Sequence, residues 1–345
     1  MKSLAGSQSK LETLGLFPDP EEGGRYENGE SNLLAYLSGD IFSSYAASMT
    51  GLRHLVGTIA WLKSPSIEII AQLPLLESIN IYGSSDDLCR AVDLNEGSFP
   101  FLSALLLRAW LPFEFNIIMR IEAMVGKLTE LDVRLDLTDE DIDEDEPNET
   151  LWDMGEFFGK LLHAPFLTKL RVDAVMTGEV KRTFVLDAPL IKTIQKLPLQ
   201  HLHLGGMIVA TASLSELFWP SMISLHIPKQ IGTLATVCEL LLVLPTLESL
   251  ELELHIKPEP TIQNALVQSS LRILNASSES RICSGFKDIN SVAHTLHNIF
   301  PGVNEIGWDD GKKKTTAQID TTRERIDFLN GHLATLRELQ RLKRM

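Results

Sequence analysis

The stretch LPTLESLELEL at 244–254 decides the fold. Leu250 and Leu252 stand two residues apart, the period that puts both on one face of a short strand, and Leu247 leads in three residues earlier. Pro245 fixes φ ahead of the strand and stops a preceding helix from running on. The phrase recurs as LPLLESINIYG at 73–83, FPFLSALLLRA at 99–109, APFLTKLRVDA at 164–174, WPSMISLHIPK at 219–229 and FPGVNEIGWDD at 300–310. A shortened form is LPLQHLHLGG at 197–206. VGKLTELDVRL at 125–135, QSSLRILNASS at 268–278 and the weaker MTGLRHLVGTI at 49–59 lack the proline.

Aligned on their first core position, these segments place Leu52, Leu76, Leu102, Leu128, Leu167, Leu199, Met222, Leu247, Leu271 and Val303 in one column. The steps between them are 24, 26, 26, 39, 32, 23, 25, 24 and 32 residues. Most fall near the leucine-rich-repeat period of roughly 20–29 residues. Amphipathic helical stretches separate the strands at 116–124, 151–163, 190–196, 212–218, 234–244 and 289–300. In 151–163, for example, Leu151, Met154, Phe157, Phe158 and Leu161 share one helical face. A single strand–helix unit cannot bury its apolar side alone, but a stack of them can. The expected fold is therefore an α/β leucine-rich-repeat solenoid, curved, with parallel strands on the concave face and helices on the convex face.

The rhythm and its breaks divide the chain. Residues 1–48 are rich in Gly, Ser, Glu and Pro and are expected to be a partly disordered N-terminal segment. The solenoid is expected over 49–310. Its 39-residue step holds an acidic loop insert at 138–150, TDEDIDEDEPNET. A calcium loop would need a glycine at its sharp turn, and Pro147 intrudes instead. The Ser-rich stretch at 275–285 reads as an irregular loop. Residues 311–345 read as a basic linker and an amphipathic capping helix, with Ile326, Leu329, Leu333, Leu336, Leu339 and Leu342 at three- and four-residue steps.

Composition narrows the partners. Net charge is -15, so phosphate backbones and anionic membranes repel the chain, and neither nucleic acid nor membrane is expected as a partner. Three scattered cysteines form neither a disulfide framework nor a zinc motif. The N-terminus has no long apolar core of a secretory signal, so an intracellular location, cytoplasmic or nuclear, is expected. No G-x-S-x-G, H-E-x-x-H, G-x-G-x-x-G or phosphate loop occurs, and no catalytic activity, cofactor or metal is expected.

What remains is a surface. Residues flanking the buried strand positions should line columns across the concave face, a shallow groove suited to a protein or peptide. The candidate partner-binding residues are Lys169, Arg171, His201, His203, His226, Glu251 and Glu253. Adjacent strands lie about 4.8 Å apart, so His203 and His226 should be neighbours.

The order of FPFLSALLLRA, VGKLTELDVRLDL with its acidic run, APFLTKLRVDA, LPLQHLHL, LPTLESLELEL, FPGVNEIGWDD and the closing LNGHLATLRELQRLKRM resembles the leucine-rich-repeat region of basidiomycete fungal F-box-like proteins. The resemblance covers roughly 50–345. It implies the substrate-recognition part of a cullin–RING ubiquitin ligase receptor, whose F-box binds a small adaptor while the repeats hold substrate. The alternative is a structural or regulatory repeat adaptor with no ubiquitin-ligase link. Residues 1–48 carry no Leu-Pro signature of an F-box, so the ligase adaptor is expected as a partner only through an F-box upstream. The acidic run generates a prediction of its own. Its like charges oppose compaction, so deleting 139–149 should leave the thermal unfolding midpoint nearly unchanged.

Overall fold

The computed structural model describes residues 11–16, 48–83, 92–110, 112–138, 153–177, 183–210, 217–257, 270–283, 286–308 and 316–344. The acidic run beyond Thr138, the lysines at 312–314 and most of the expected helix at 212–218 lie outside them. The chain forms two compact units, Met1–Lys181 with Lys196–Pro198, and Arg182–Gln195 with Leu199–Met345. Each is built of parallel strands and helices repeating at the period read from the sequence. Each is an α/β leucine-rich-repeat solenoid.

In the first unit, strands β1 (Thr13–Leu16), β2 (His54–Thr58), β3 (Ser78–Tyr82), β4 (Ala104–Trp110), β5 (Glu130–Thr138) and β6 (Lys169–Thr177) pair in chain order, all parallel. Thr13–Leu16 is a departure from expectation, because the solenoid was to begin at 49. The segment carries only an alternating Leu14 and Leu16, too short to show the repeat phrase. Between strands lie α1 (Ser66–Ile70), α2 (Pro112–Ile118), α3 (Glu122–Val125) and α4 (Met154–Leu161). The helix expected over 116–124 is therefore broken in two. Asp153 caps α4 by accepting the Glu156 N–H at 2.9 Å. Phe157, Phe158 and Leu161 of α4 are buried, and Phe157 stacks on Phe115 of α2 with ring centroids 4.2 Å apart.

In the second unit, β8 (His201–Gly205), β10 (Ser224–Gly232), β11 (Ser249–Ile256), β12 (Ile273–Ala276) and β14 (Ile306–Trp308) form the parallel sheet. β7 (Phe184–Leu186) pairs with β9 (Met207–Val209), and β13 (Arg281–Ile282) pairs with β11. The Ser-rich stretch thus contains a strand where an irregular loop was expected. Helices α5 (Ala188–Ile194), α6 (Leu234–Val243), α7 (Phe286–Ile299) and α8 (Thr316–Arg344) complete the unit.

One bonding pattern repeats in both units. The carbonyls of Arg53, Glu77, Ser103 and Thr129 each accept two consecutive N–H groups from the next repeat, at 2.8–3.1 Å. Those of Gln200, Ile223 and Glu248 do the same at 2.7–3.0 Å. Hydroxyls follow the same path: Ser103 donates to the Glu77 carbonyl, Thr129 to that of Ser103, and Thr168 to that of Thr129. All ten aligned positions from Leu52 to Val303 are buried. So are Leu107, Val133 and Val172 in the first unit, and Leu204, Ile227 and Leu252 in the second. The residues that alternate with these in the first half of each strand, among them Leu106, Asp132, Arg171, His203, His226 and Glu251, are half-buried or exposed. Each sheet buries one face and leaves the other open.

The edge strand β14 is covered by α8. Asn330 accepts the Ile306 N–H at 2.8 Å through Oδ1 and donates to the Ile306 carbonyl at 3.0 Å through Nδ2, so one amide side chain replaces a neighbouring strand. Ile326, Leu329 and Leu333 are buried. Arg337 donates to the Val303 and Asn304 carbonyls. The apolar stripe then runs out of partners within this unit: Leu339 and Leu342 are exposed.

Two measurements check this packing. Leu250 is fully buried, and Leu250→Ala should lower unfolding free energy by about 2–5 kcal/mol in a urea titration. His297 of α7 is held below the ordinary histidine range by burial first, then by Arg337 and His294. The unfolded chain therefore takes up this proton more readily than the folded one. The contribution to stability is present above about pH 6.5 and is lost as pH falls from there through the depressed folded value. The urea midpoint should drop on acidification through this window, and His297→Gln should remove that part of the drop.

Candidate functional site

Parallel pairing in constant phase turns single strand positions into columns. In the first unit the central column reads Val56, Asn80, Leu106, Asp132 and Arg171. Beside it run His54, Ser78, Ala104, Glu130 and Lys169. The charges at the β4–β6 end form a chain of pairs. Arg108 grips Asp132 through two parallel bonds of 2.7 Å, the fork geometry that suits a carboxylate. Arg171 donates from Nε to Asp173 at 2.7 Å and stands 3.9 Å from Asp132. Lys169 lies 3.4 Å from Glu130. Asp132 and Asp173 are mostly covered, whereas about half of the Arg171 and Lys169 side chains faces solvent. The covered carboxylates of Asp132 and Asp173 therefore hold Arg171 in place on the open face, while Lys169 leans on the more exposed Glu130.

In the second unit the central column reads His203, His226, Glu251, Asn275 and Gly307. A Cβ at Gly307 would come within 2.1 Å of Asn275 Oδ1, so any larger residue there would force the Asn275 side chain to turn away. The flanking column reads His201, Ser224, Ser249 and Ile273. The rings of His203 and His226 meet edge-on with centroids 6.0 Å apart, the neighbourhood that strand spacing requires. His226 is the hub. Its Nε2 lies 2.9 Å from Ser224 Oγ and 3.1 Å from Ser249 Oγ, and its Nδ1 lies 3.2 Å from Glu251 Oε2. No motif in the sequence marks this cluster, because Ser249 and Glu251 come from a different repeat. Only the register between β10 and β11 brings the four together.

The candidate residues thus fall into two groups, Lys169 and Arg171 in one unit and His201, His203, His226 and Glu251 in the other. Glu253 is a correction. It was expected beside Glu251 on the open surface, but it is buried at 8% exposure and its Oε1 lies 3.0 Å from His255 Nε2. The β10–β11 register shifts here: the pairing stops at Ile227 opposite Leu252 and resumes with Ile231 opposite Glu253, so the column that holds His226 and Glu251 does not continue regularly to Glu253. Among the described residues, no group of three or more His, Cys, Asp or Glu side chains is arranged to hold a metal ion.

No protein-family model matches the sequence, and no curated protein matches it. Solved structures do resemble it. The crystal structure of a TLR13–ssRNA13 complex aligns at 15% identity and a TM-score of 0.48, over 88% of this chain and 41% of that one. The leucine-rich repeat-containing protein LegL7 from Legionella pneumophila aligns at 13% identity and a TM-score of 0.42, over 92% and 98%. The Arabidopsis receptor kinase HAESA, solved with the peptide hormone IDA and the co-receptor SERK1, aligns at 14% identity and 0.33, over 68% and 35%. This chain spans less than half the length of the TLR13 and HAESA chains. These are likenesses of fold.

The fork on Asp132 can be weighed directly. Asp132→Ala leaves the Arg108 guanidinium, only 26% exposed, without its bidentate acceptor. Charge-assisted hydrogen bonds contribute about 1.5–3 kcal/mol. The variant should lose stability of that order in chemical denaturation, while Asp132→Asn, which keeps one acceptor oxygen, should lose less.

Proposed function

We propose that this chain is a protein-interaction scaffold that holds a protein or peptide partner on the open strand faces of its repeats. The observation that carries this reading is the in-phase register on the open strand face of each unit, which sets polar and charged side chains of successive repeats side by side: Glu130 with Lys169 and Asp132 with Arg171 in the first unit, and His203, His226 and Glu251 in the second. Such columns are rigid because every member stands on a laddered strand, so a partner meets preset donors and acceptors and loses little affinity to ordering them. Lys169 and Arg171 offer cations in the first unit, and His201, His203, His226 and Glu251 offer mixed hydrogen-bonding groups in the second. Among the described residues, no helix is long and apolar enough to cross a membrane.

The narrower form of the proposal is the substrate-recognition part of an F-box-type ubiquitin-ligase receptor, and it rests on the resemblance of the repeat order alone. A regulatory adaptor without that link accounts equally for the surface. The two separate on whether the ligase adaptor co-purifies with the full-length protein.

The test of the scaffold uses two variant sets on the immobilised chain, Lys169→Ala with Arg171→Ala, and His203→Ala with His226→Ala and Glu251→Ala. Recovery of the captured partner should fall about tenfold or more for at least one set, equivalent to about 1.4 kcal/mol of binding, with the melting temperature held. Unchanged recovery in both sets, with loss in Leu339→Ala/Leu342→Ala, would instead put the docking surface on the end of α8.

A further inference from the structure

We infer that the second unit carries a nucleophilic hydroxyl site, in which Ser224 and Ser249 share His226 as general base and Glu251 orients that base. The inference does not depend on the scaffold reading. It starts from the four-residue square that register creates: Ser224 stands opposite Ser249, and His226 opposite Glu251. A carboxylate can only accept, so Glu251 at 3.2 Å favours the imidazole tautomer with its proton on Nδ1. Nε2 then presents a single lone pair. Two hydroxyls lie within 3.1 Å of it, and only one can donate to it at a time. The other hydroxyl is left to turn its proton elsewhere. This is the order of contacts that activates a serine: hydroxyl to imidazole to carboxylate, recognised by geometry and not by sequence position.

Burial suits those roles. The Glu251 side chain is 13% exposed and the His226 side chain 26%, so the acid is shielded while the base keeps an open edge. On the β8 side the register neighbours of the hydroxyl and the base are His201 and His203.

The chemical class is acyl transfer from a carboxylic ester. A serine Oγ attacks the carbonyl carbon and its proton passes to His226 Nε2. The carbon–oxygen bond to the alcohol breaks, and the alcohol takes that proton as it leaves. Water then adds to the acyl-serine, giving a proton to His226. The bond to Oγ breaks, the serine regains the proton, and a carboxylic acid is released. Ester and water are consumed, acid and alcohol are formed, and nothing is oxidised or reduced.

The test uses the full chain and two probes. An alkyl fluorophosphonate forms an Oγ–phosphorus bond with loss of fluoride, and peptide mass mapping locates it. p-Nitrophenyl acetate reports acylation as released nitrophenolate. Modification should map to Ser224 or Ser249 and vanish in Ser224→Ala/Ser249→Ala. It should slow about a hundredfold or more in His226→Gln, the low end of general-base contributions. Glu251→Gln should slow it too, which keeps the test decisive if His226→Gln fails to fold. No label at either serine, under conditions that saturate a control serine hydrolase, would overturn the inference. So would labelling at an unchanged rate in a folded His226→Gln or Glu251→Gln variant.

Discussion

The structure depends on a carbonyl that serves the repeat after its own. Each of Arg53, Glu77, Ser103 and Thr129 in one unit, and Gln200, Ile223 and Glu248 in the other, accepts two successive N–H groups at the foot of the next strand. That fork fixes where the next strand starts. A slip of one residue would move every leucine from the buried face to the open one. With the phase fixed, the apolar members of each repeat stack on one another, and the polar members do the same on the opposite face. The core and the open columns are two outcomes of one constraint. The serine and threonine hydroxyls that reach the same carbonyls reinforce it at the cost of no apolar surface.

Much of this was legible in the sequence because the constraint leaves a periodic trace. Leu-x-x-Leu-x-Leu with a proline ahead of it names the buried positions, and all ten were found buried. The neighbours His203 and His226 followed from strand spacing alone. What escaped was whatever the period does not encode. β1 is four residues long and carries no proline. Arg281–Ile282 pairs with β11 although its surroundings read as a loop. Glu253 was misplaced because the columns were drawn as unbroken, while the β10–β11 register shifts between Ile227 and Ile231. The Ser–His–Glu square was invisible for a different reason. Its members are two residues apart within a strand but about one repeat apart between strands, a spacing no catalytic motif search covers.

An open-ended stack needs its last strand closed, and the second unit does so with a single amide. Asn330 gives Ile306 both an acceptor and a donor from a helix, which cannot otherwise pair with a strand edge. Arg337 and Arg325 answer further carbonyls at Val303, Asn304 and Ile282. The helix is thus tied by polar contacts to backbone as well as by Ile326, Leu329 and Leu333. Where those ties stop, at Arg337, burial stops too, and Leu339 and Leu342 stand in solvent.

The two open faces differ in how they would choose a ligand. In the first unit three cations of the β4–β6 group each have an opposite charge nearby: Arg108 with Asp132, Arg171 with Asp173, Lys169 with Glu130. A partner gains little from the net charge of these three pairs. It must offer an acceptor to Arg171 or Lys169 without stranding Asp132 or Asp173, which are largely covered and costly to leave unpaired. Discrimination then comes from the penalty on wrong partners more than from attraction to the right one. In the second unit the hydroxyl and imidazole groups can change role by rotating or by moving a proton. That face can satisfy either a donor or an acceptor, so its selectivity has to come from the fixed spacing of its columns, which the carbonyl fork sets.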